Sequence, residues 1–74
     1  MDNLDLRKQV GERLKEARKI AGLTQAKIAK RMGMTQQQYS RFENGKFELN
    51  YSQLAFLAKE YDISVDYLLG LAEF

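Results

Sequence analysis

One stretch of the chain, residues 24–46, contains two short amphipathic helix patterns separated by a glycine, and it constrains the fold more than any other part. Thr24 and Thr35 stand immediately before the two patterns, where a hydroxyl can accept a hydrogen bond from the first turn of a helix. Gly33 and Gly45 stand after them, where glycine ends a helix because it adopts the left-handed conformation without a Cβ penalty. The stretch therefore predicts two short helices joined by a tight turn.

The apolar positions of the two patterns indicate that these helices cross and pack together. Ile28, Ala29 and Met32 share one face of the first helix, and Tyr39 and Phe42 share one face of the second. The other side of the second helix is polar at positions spaced by three and four residues: Gln37, Ser40, Arg41 and Asn44. A short helix with an apolar inner face and an outer face of glutamine and arginine is typical of a helix that reads DNA.

Three further helices are predicted from the apolar spacing of the remaining chain. The first covers residues 5–21, the fourth covers 51–61 behind the capping residue Asn50, and the fifth covers 65–69 behind Ser64. The first helix has a predicted buried stripe at steps of three or four residues: Leu6, Val10, Leu14, Ala17 and Ala21. We therefore predict an all-α fold, a compact bundle of five short helices in which the second and third form a helix-turn-helix.

Several positions leave two interpretations open. Gly11, inside the first helix, marks either a close contact with another helix or a tolerated glycine. Tyr51 and Phe56 either cover the edge of the core or meet a partner subunit, and we favour the core edge. Tyr39 buries its ring, but its hydroxyl then needs a partner or water, so we expect it to tilt its helix or to reach toward solvent.

The composition excludes other classes of function. A chain of 74 residues makes one domain, so we predict a single domain over residues 1–74. The absence of Cys and His removes thiolate metal ligands and the usual general base, so we expect no enzyme, no catalytic or metal-binding residues and no cofactor. No apolar run approaches the about 18 residues of a membrane span, and the acidic start lacks the apolar core of a signal peptide. We expect a cytoplasmic protein without a small-molecule ligand.

The positive charge of the chain is concentrated on the two-helix stretch. Residues 24–46 carry five Lys or Arg against one Glu, a net charge of +4, whereas residues 1–23 carry +2 and residues 47–74 carry −4. A surface that faces DNA phosphates needs such a local excess. The alternative is a solvated charged face with no partner.

Several segments of the chain match one known family: Gly22-Leu23-Thr24-Gln25-x-x-Ile28-Ala29, then Gly33, then Phe42-Glu43-Asn44-Gly45-Lys46, and the closing Ile63-Ser64-Val65-Asp66-Tyr67-Leu68-Leu69-Gly70. In these segments the chain resembles the Cro/C1-type helix-turn-helix proteins of the phage-repressor (XRE) family. The resemblance covers about residues 14–69, with the helix-turn-helix motif at 24–44. Thr35-Gln36-Gln37 opens the third helix as in the small lambdoid repressors.

The resemblance implies a sequence-specific transcriptional regulator that binds a palindromic operator in double-stranded DNA as a homodimer and reads the major groove with its third helix, and it favours a repressor over an activator. Glutamine can bind adenine through two hydrogen bonds and arginine can bind guanine as a fork. The predicted base-contacting residues are Gln36, Gln37, Arg41 and Ser40. The predicted phosphate-contacting residues are Gln25, Thr35, Asn44 and Lys46.

The family also implies a structural ion pair and a dimer surface. Arg18 is expected to pair with Glu43, which would join the first helix to the end of the third. The candidate dimer residues are Leu68, Leu71 and Phe74, with completion of the monomer core as the alternative. Because helix-turn-helix bundles also serve as antitoxins, a protein partner such as a toxin or an anti-repressor stays open. The sequence leaves the operator, and repression against activation, undecided.

Overall fold

A computed structural model describes the backbone of residues 3–73 and the side chains of residues 5–73. Within this part of the chain there is no strand, and five helices follow one another: α1 (Asn3–Ile20), α2 (Gln25–Arg31), α3 (Gln36–Glu43), α4 (Tyr51–Glu60) and α5 (Val65–Leu68). The predicted all-α bundle is therefore confirmed, and α2 and α3 form the predicted helix-turn-helix. Phe74, a candidate dimer residue, lies outside the described residues.

The helix starts follow from local side-chain chemistry. Each of α2 to α5 begins behind a predicted capping residue: Thr24, Thr35, Asn50 and Ser64. Their side chains accept hydrogen bonds from backbone N–H groups three residues on, at 2.8–3.1 Å. Gln38 and Gln53 return a hydrogen bond to the caps of α3 and α4, which completes both predicted capping boxes.

Helix α1 ends one residue earlier than predicted, because Ala21 belongs to the turn that follows it. The helix ends at Ile20, Gly22 adopts a φ of 75°, and the N–H of Leu23 donates to the carbonyl of Arg18 at 3.1 Å. Ala21 therefore belongs to the turn and is exposed, so its predicted place in the buried stripe is wrong. Leu23 does fold back onto the last helical turn, as expected of a glycine-terminated helix.

The core forms where α1 crosses α3 and where α4 and α5 close the bundle. Its buried members are Val10, Leu14, Ala17, Ile28, Ala29, Tyr39, Phe42, Leu57, Tyr61 and Leu68. At Gly11 a Cβ atom would overlap the carbonyl oxygen of Glu43 and lie 2.7 Å from that of Phe42. Gly11 therefore marks a close contact between α1 and α3 and is more than a tolerated glycine.

Two predictions about apolar side chains are corrected by their exposure. Tyr51, the first residue of α4, is 92% exposed, so it does not cover the core edge as we favoured. Leu68 is fully buried, because the single turn of α5 places it inside the core beside α1 and α4. Leu68 consequently has no surface to offer a second subunit.

Two further findings concern the described part of the chain. No helix within residues 3–73 combines the length and apolar character needed to cross a membrane. The same residues contain no group of His, Cys, Asp and Glu side chains that could hold a metal ion.

Candidate nucleic-acid interface

The outward face of α3 presents the side chains that the sequence predicts to contact bases. Gln36, Gln37 and Arg41 are exposed, and Ser40 is half-buried beside them. On the opposite face Tyr39 is fully buried in the core. The helix is therefore anchored on one side and leaves a polar face of amides and one guanidinium free on the other.

The predicted phosphate-contacting residues flank this face at both ends. Thr35 caps α3 and is exposed, and Asn44 and Lys46 are exposed where α3 ends. The Asn44 amide donates to the Ser40 hydroxyl at 3.3 Å, which orients both side chains within the last turn. Gln25 begins α2 and is half-buried, so it is less open to solvent than the other three.

The side-chain amide of Gln25 joins α2 to both ends of α3. Its Nε2 donates to Glu43 Oε1 at 3.0 Å, and its Oε1 accepts from Gln36 Nε2 at 3.5 Å. The sequence predicts a phosphate contact for Gln25 but does not reveal this bridge, because the bridge depends on how the two helices cross. The bridge restrains the side chain of Gln36 on the outward face.

Arg18 and Glu43 form the ion pair that the resemblance implies. Arg18 Nε lies 2.8 Å from Glu43 Oε2 and its Nη2 lies 3.2 Å from Oε1, while Nη1 donates to the carbonyl of Leu23 at 2.9 Å. Burial of the Glu43 carboxyl opposes its ionisation, but hydrogen bonds from Arg18, Tyr39 and Gln25 outweigh burial, and the pKa is lowered below its ordinary 4.5. The pair ties α1 to the end of α3.

The Tyr39 hydroxyl has its partner inside the core, so of the two predicted outcomes, a tilted helix or a hydroxyl that reaches toward solvent, the second is wrong. The hydroxyl oxygens of Tyr39 and Tyr61 are 2.7 Å apart, and both side chains are buried. Burial, followed by the nearby Glu43 carboxylate and Tyr61 hydroxyl, raises the pKa of Tyr39 well above its ordinary 10.0. Burial raises the pKa of Tyr61 to about 12. Both hydroxyls are therefore neutral at physiological pH, and either can donate the hydrogen bond between them.

Two residues beside the candidate interface, Phe47 and Lys8, make contacts that the sequence did not predict. Phe47, in the loop after α3, has its ring centre 5.5 Å from the Arg41 guanidinium carbon. Lys8 of α1 packs its backbone against Gly45, where a Cβ atom would lie 2.9 Å from the Lys8 Cα. An aromatic residue just past the glycine turn was a usable signal for Phe47, whereas nothing local indicated Lys8.

The crossing of α2 and α3, their caps and the exposed polar face of α3 define a helix-turn-helix protein. A family model described as "Helix-turn-helix domain" matches residues 11–73. The chain belongs to the Cro/C1-type (XRE) helix-turn-helix family.

Relatives of known sequence carry names of the same kind. "Uncharacterized HTH-type transcriptional regulator YobD" of Bacillus subtilis (strain 168) is 36% identical over 62 residues, covering 84% of this chain and 55% of that protein. "HTH-type transcriptional regulator ImmR" of the same strain is 38% identical over 64 residues, covering 86% and 50%. The SPbeta prophage-derived regulator YonR, also from that strain, is 39% identical over 59 residues, covering 80% and 55%. The chain spans about half the length of the curated relatives it matches.

Proposed function

We propose that this chain binds double-stranded DNA in a sequence-specific manner and regulates transcription. It would act as a repressor that binds a palindromic operator as a homodimer. The observation that carries the proposal is the outward face of α3, where Gln36, Gln37 and Arg41 are exposed while Tyr39 and Phe42 hold the helix from beneath. The names of the relatives, all transcriptional regulators, support the same function. Such a protein would act in the cytoplasm of a bacterium, on host or phage DNA.

Each predicted base-contacting residue of α3 can form specific hydrogen bonds with base edges in the major groove. The Gln36 and Gln37 amides offer a donor and an acceptor that match adenine N6 and N7, and the Arg41 guanidinium matches guanine O6 and N7. Each such pair contributes about 1–3 kcal/mol of discrimination against the wrong base. Ser40 reaches a neighbouring base or phosphate. The bridge from Gln25 supports Gln36 in particular, because its amide is already oriented before DNA arrives.

Contacts to the DNA backbone orient the helix but do not read sequence. Gln25 meets a phosphate at the start of α2, Thr35 meets one at the start of α3, and Asn44 and Lys46 meet phosphates at the end of α3. The net charge of +4 on residues 24–46 supports this role, since each neutralised phosphate releases counterions. Binding should therefore weaken steeply as salt concentration rises.

A homodimer follows from the small number of bases that one α3 helix can touch. A single half-site is too short for a useful specificity ratio against a genome, and two half-sites about one DNA turn apart solve this. Leu71 is 75% exposed at the end of the described chain and is our candidate for the dimer surface, together with Phe74.

The test is selection of bound fragments from random duplex DNA, followed by titration of variants against the selected duplex. We expect Gln37→Ala to weaken binding to that duplex by about 1–3 kcal/mol and to leave non-specific binding unchanged. Lys46→Ala should weaken binding to all duplexes alike and reduce the salt slope by about 1. Lys59→Ala is the matched control, because Lys59 is also exposed but lies on α4.

Two results would overturn the proposal. One is a wild-type protein that selects no duplex sequence, and the other is Gln37→Ala with unchanged specific binding. If the chain instead bound a protein partner, with an affinity that does not depend on salt concentration, the alternative function as an interaction module would be favoured.

A further inference from the structure

The side chain of Arg41 meets an aromatic ring from outside α3. Its guanidinium carbon lies over the Phe47 ring, 5.5 Å from the ring centre. Among residues 5–73 the Arg41 guanidinium makes no hydrogen bond or ion pair, and Phe47 is its cation–π partner. Phe47 is 51% exposed, so the pair lies on the surface of the protein.

The turn that ends α3 places Phe47 at this position. Gly45 adopts a φ of 72°, and the N–H of Lys46 donates to the carbonyl of Arg41 at 2.9 Å. This hydrogen bond returns the chain to the last turn of α3, so the next residue, Phe47, lies beside Arg41. Phe47 also lines a largely apolar hollow together with Leu49 and Leu54.

A ring in this position limits the conformations of a reader side chain. An exposed arginine side chain populates many rotamers in the free protein. Restricting it to one rotamer on binding a base costs conformational entropy, and this cost reduces the affinity. A guanidinium over an aromatic face is restrained by the cation–π attraction, yet its in-plane N–H groups stay free to donate. Arg41 can therefore contact a base without leaving the ring.

We propose that Phe47 is a positioning residue for guanine selection: its ring holds the Arg41 guanidinium at the end of α3 and so increases the preference of Arg41 for guanine in the operator half-site. This inference rests on the proposed DNA-reading function of Arg41. Phe47 acts through Arg41 and need not touch the base itself.

The first measurement uses the free protein. The order of the Arg41 Nε–H group is measured by ¹⁵N relaxation in the wild type, Phe47→Leu and Phe47→Tyr. Leucine keeps an apolar side chain without a π face, and tyrosine keeps the face. We expect the order to fall in Phe47→Leu and to be retained in Phe47→Tyr. The control is Tyr51→Leu, because Tyr51 is an exposed aromatic residue with no cation–π contact in residues 5–73.

The second measurement uses the selected duplex and versions in which each guanine of the half-site is replaced. Phe47→Leu should reduce the discrimination against the replaced guanine about two- to five-fold, at an unchanged salt slope, and Phe47→Tyr should restore it. In an Arg41→Ala background Phe47→Leu should have no further effect. This dependence on Arg41 distinguishes positioning from a general loss of packing.

Several results would overturn the inference about Phe47. Phe47→Leu would contradict it by leaving the order of the Arg41 Nε–H group unchanged, or by weakening the binding of every duplex equally. It would also contradict it by causing the same loss of guanine discrimination in the Arg41→Ala background. If the wild type discriminates between no duplexes, the proposed function fails and the inference fails with it. If the wild type discriminates but Phe47→Leu does so equally well, only the inference fails.

Discussion

At the scale of single residues, the candidate interface depends on one buried carboxylate. Glu43 accepts hydrogen bonds from Arg18 on α1 and Gln25 on α2, and it contacts Tyr39 on its own helix. A buried charge is tolerated only when it is paired and hydrogen-bonded, and these donors satisfy Glu43. Through Gln25 the same carboxylate is linked to Gln36 on the outward face, so the core and a predicted base reader share one polar network.

The lowered pKa of Glu43 predicts a loss of stability in acid. Because its folded-state pKa lies below the unfolded value, the ionised carboxylate contributes stability above pH 4.5 that is lost as pH falls through the folded pKa. We expect Glu43→Gln to destabilise the protein by about 3–5 kcal/mol at neutral pH, because Arg18 is left buried without its partner. The measurement is urea unfolding at a series of pH values between neutral and strongly acid.

A double variant provides the control for this acid effect. Arg18→Met/Glu43→Leu removes both charges, so its stability at neutral pH should lie close to that of the wild type. Its free energy of unfolding should then fall less than the wild-type value on acidification. Equal acid sensitivity of the wild type and the double variant would show that other carboxyl groups cause the loss.

Single contacts differ in how far the sequence predicts them. The outward face of α3 follows from helical periodicity, and the pairing of Arg18 with Glu43 followed from the family resemblance. The hydrogen bond between Tyr39 and Tyr61 was not predicted, because 22 residues separate them and only the packing of α4 brings them together. The contact of Phe47 with Arg41 was missed for a related reason, since it depends on the direction of the chain after Gly45.

At the scale of elements, the starts of α2 to α5 were predicted because a cap and its donor are three residues apart. The helix-turn-helix was predicted for the same reason, since its caps and glycines are all local signals. The approach of α1 to α3 was left open, because a glycine inside a helix has the same local pattern whether or not another backbone lies against it. The contact of Gly11 with the carbonyls of Phe42 and Glu43 resolves this alternative.

Gly11→Ala tests that contact through the sign of its effect. Helix propensity alone would make alanine more stable by about 1 kcal/mol. We expect the opposite, a destabilisation of about 1–3 kcal/mol, because the new methyl group overlaps backbone atoms at the end of α3. Urea unfolding measures the difference, with Glu12→Ala on the exposed side of α1 as the control. A more stable Gly11→Ala variant would mean that α1 and α3 are not in close contact.

At the scale of the whole molecule, charge is divided between two parts of the chain. Residues 24–46 have a net charge of +4, while residues 47–74 have −4 and include the exposed Leu71. An acidic part is unsuited to face DNA phosphates, which supports placing the proposed dimer surface there. The sequence could predict this division but not the position of the dimer surface, because a dimer surface has no local pattern that separates it from a core edge. Leu68 illustrates the difficulty, since it met the same criterion and is buried.

Leu71→Glu tests the proposed dimer by comparing two duplexes, one with the full palindrome and one with a single half-site. If Leu71 lies between subunits, a buried glutamate opposes association, so affinity for the palindrome should fall about ten-fold or more while affinity for the half-site stays unchanged. Ile20→Glu is the matched control, because Ile20 is equally exposed but ends α1. Equal losses on both duplexes would instead indicate repulsion between the new charge and DNA, and unchanged affinity for both would place the dimer surface elsewhere.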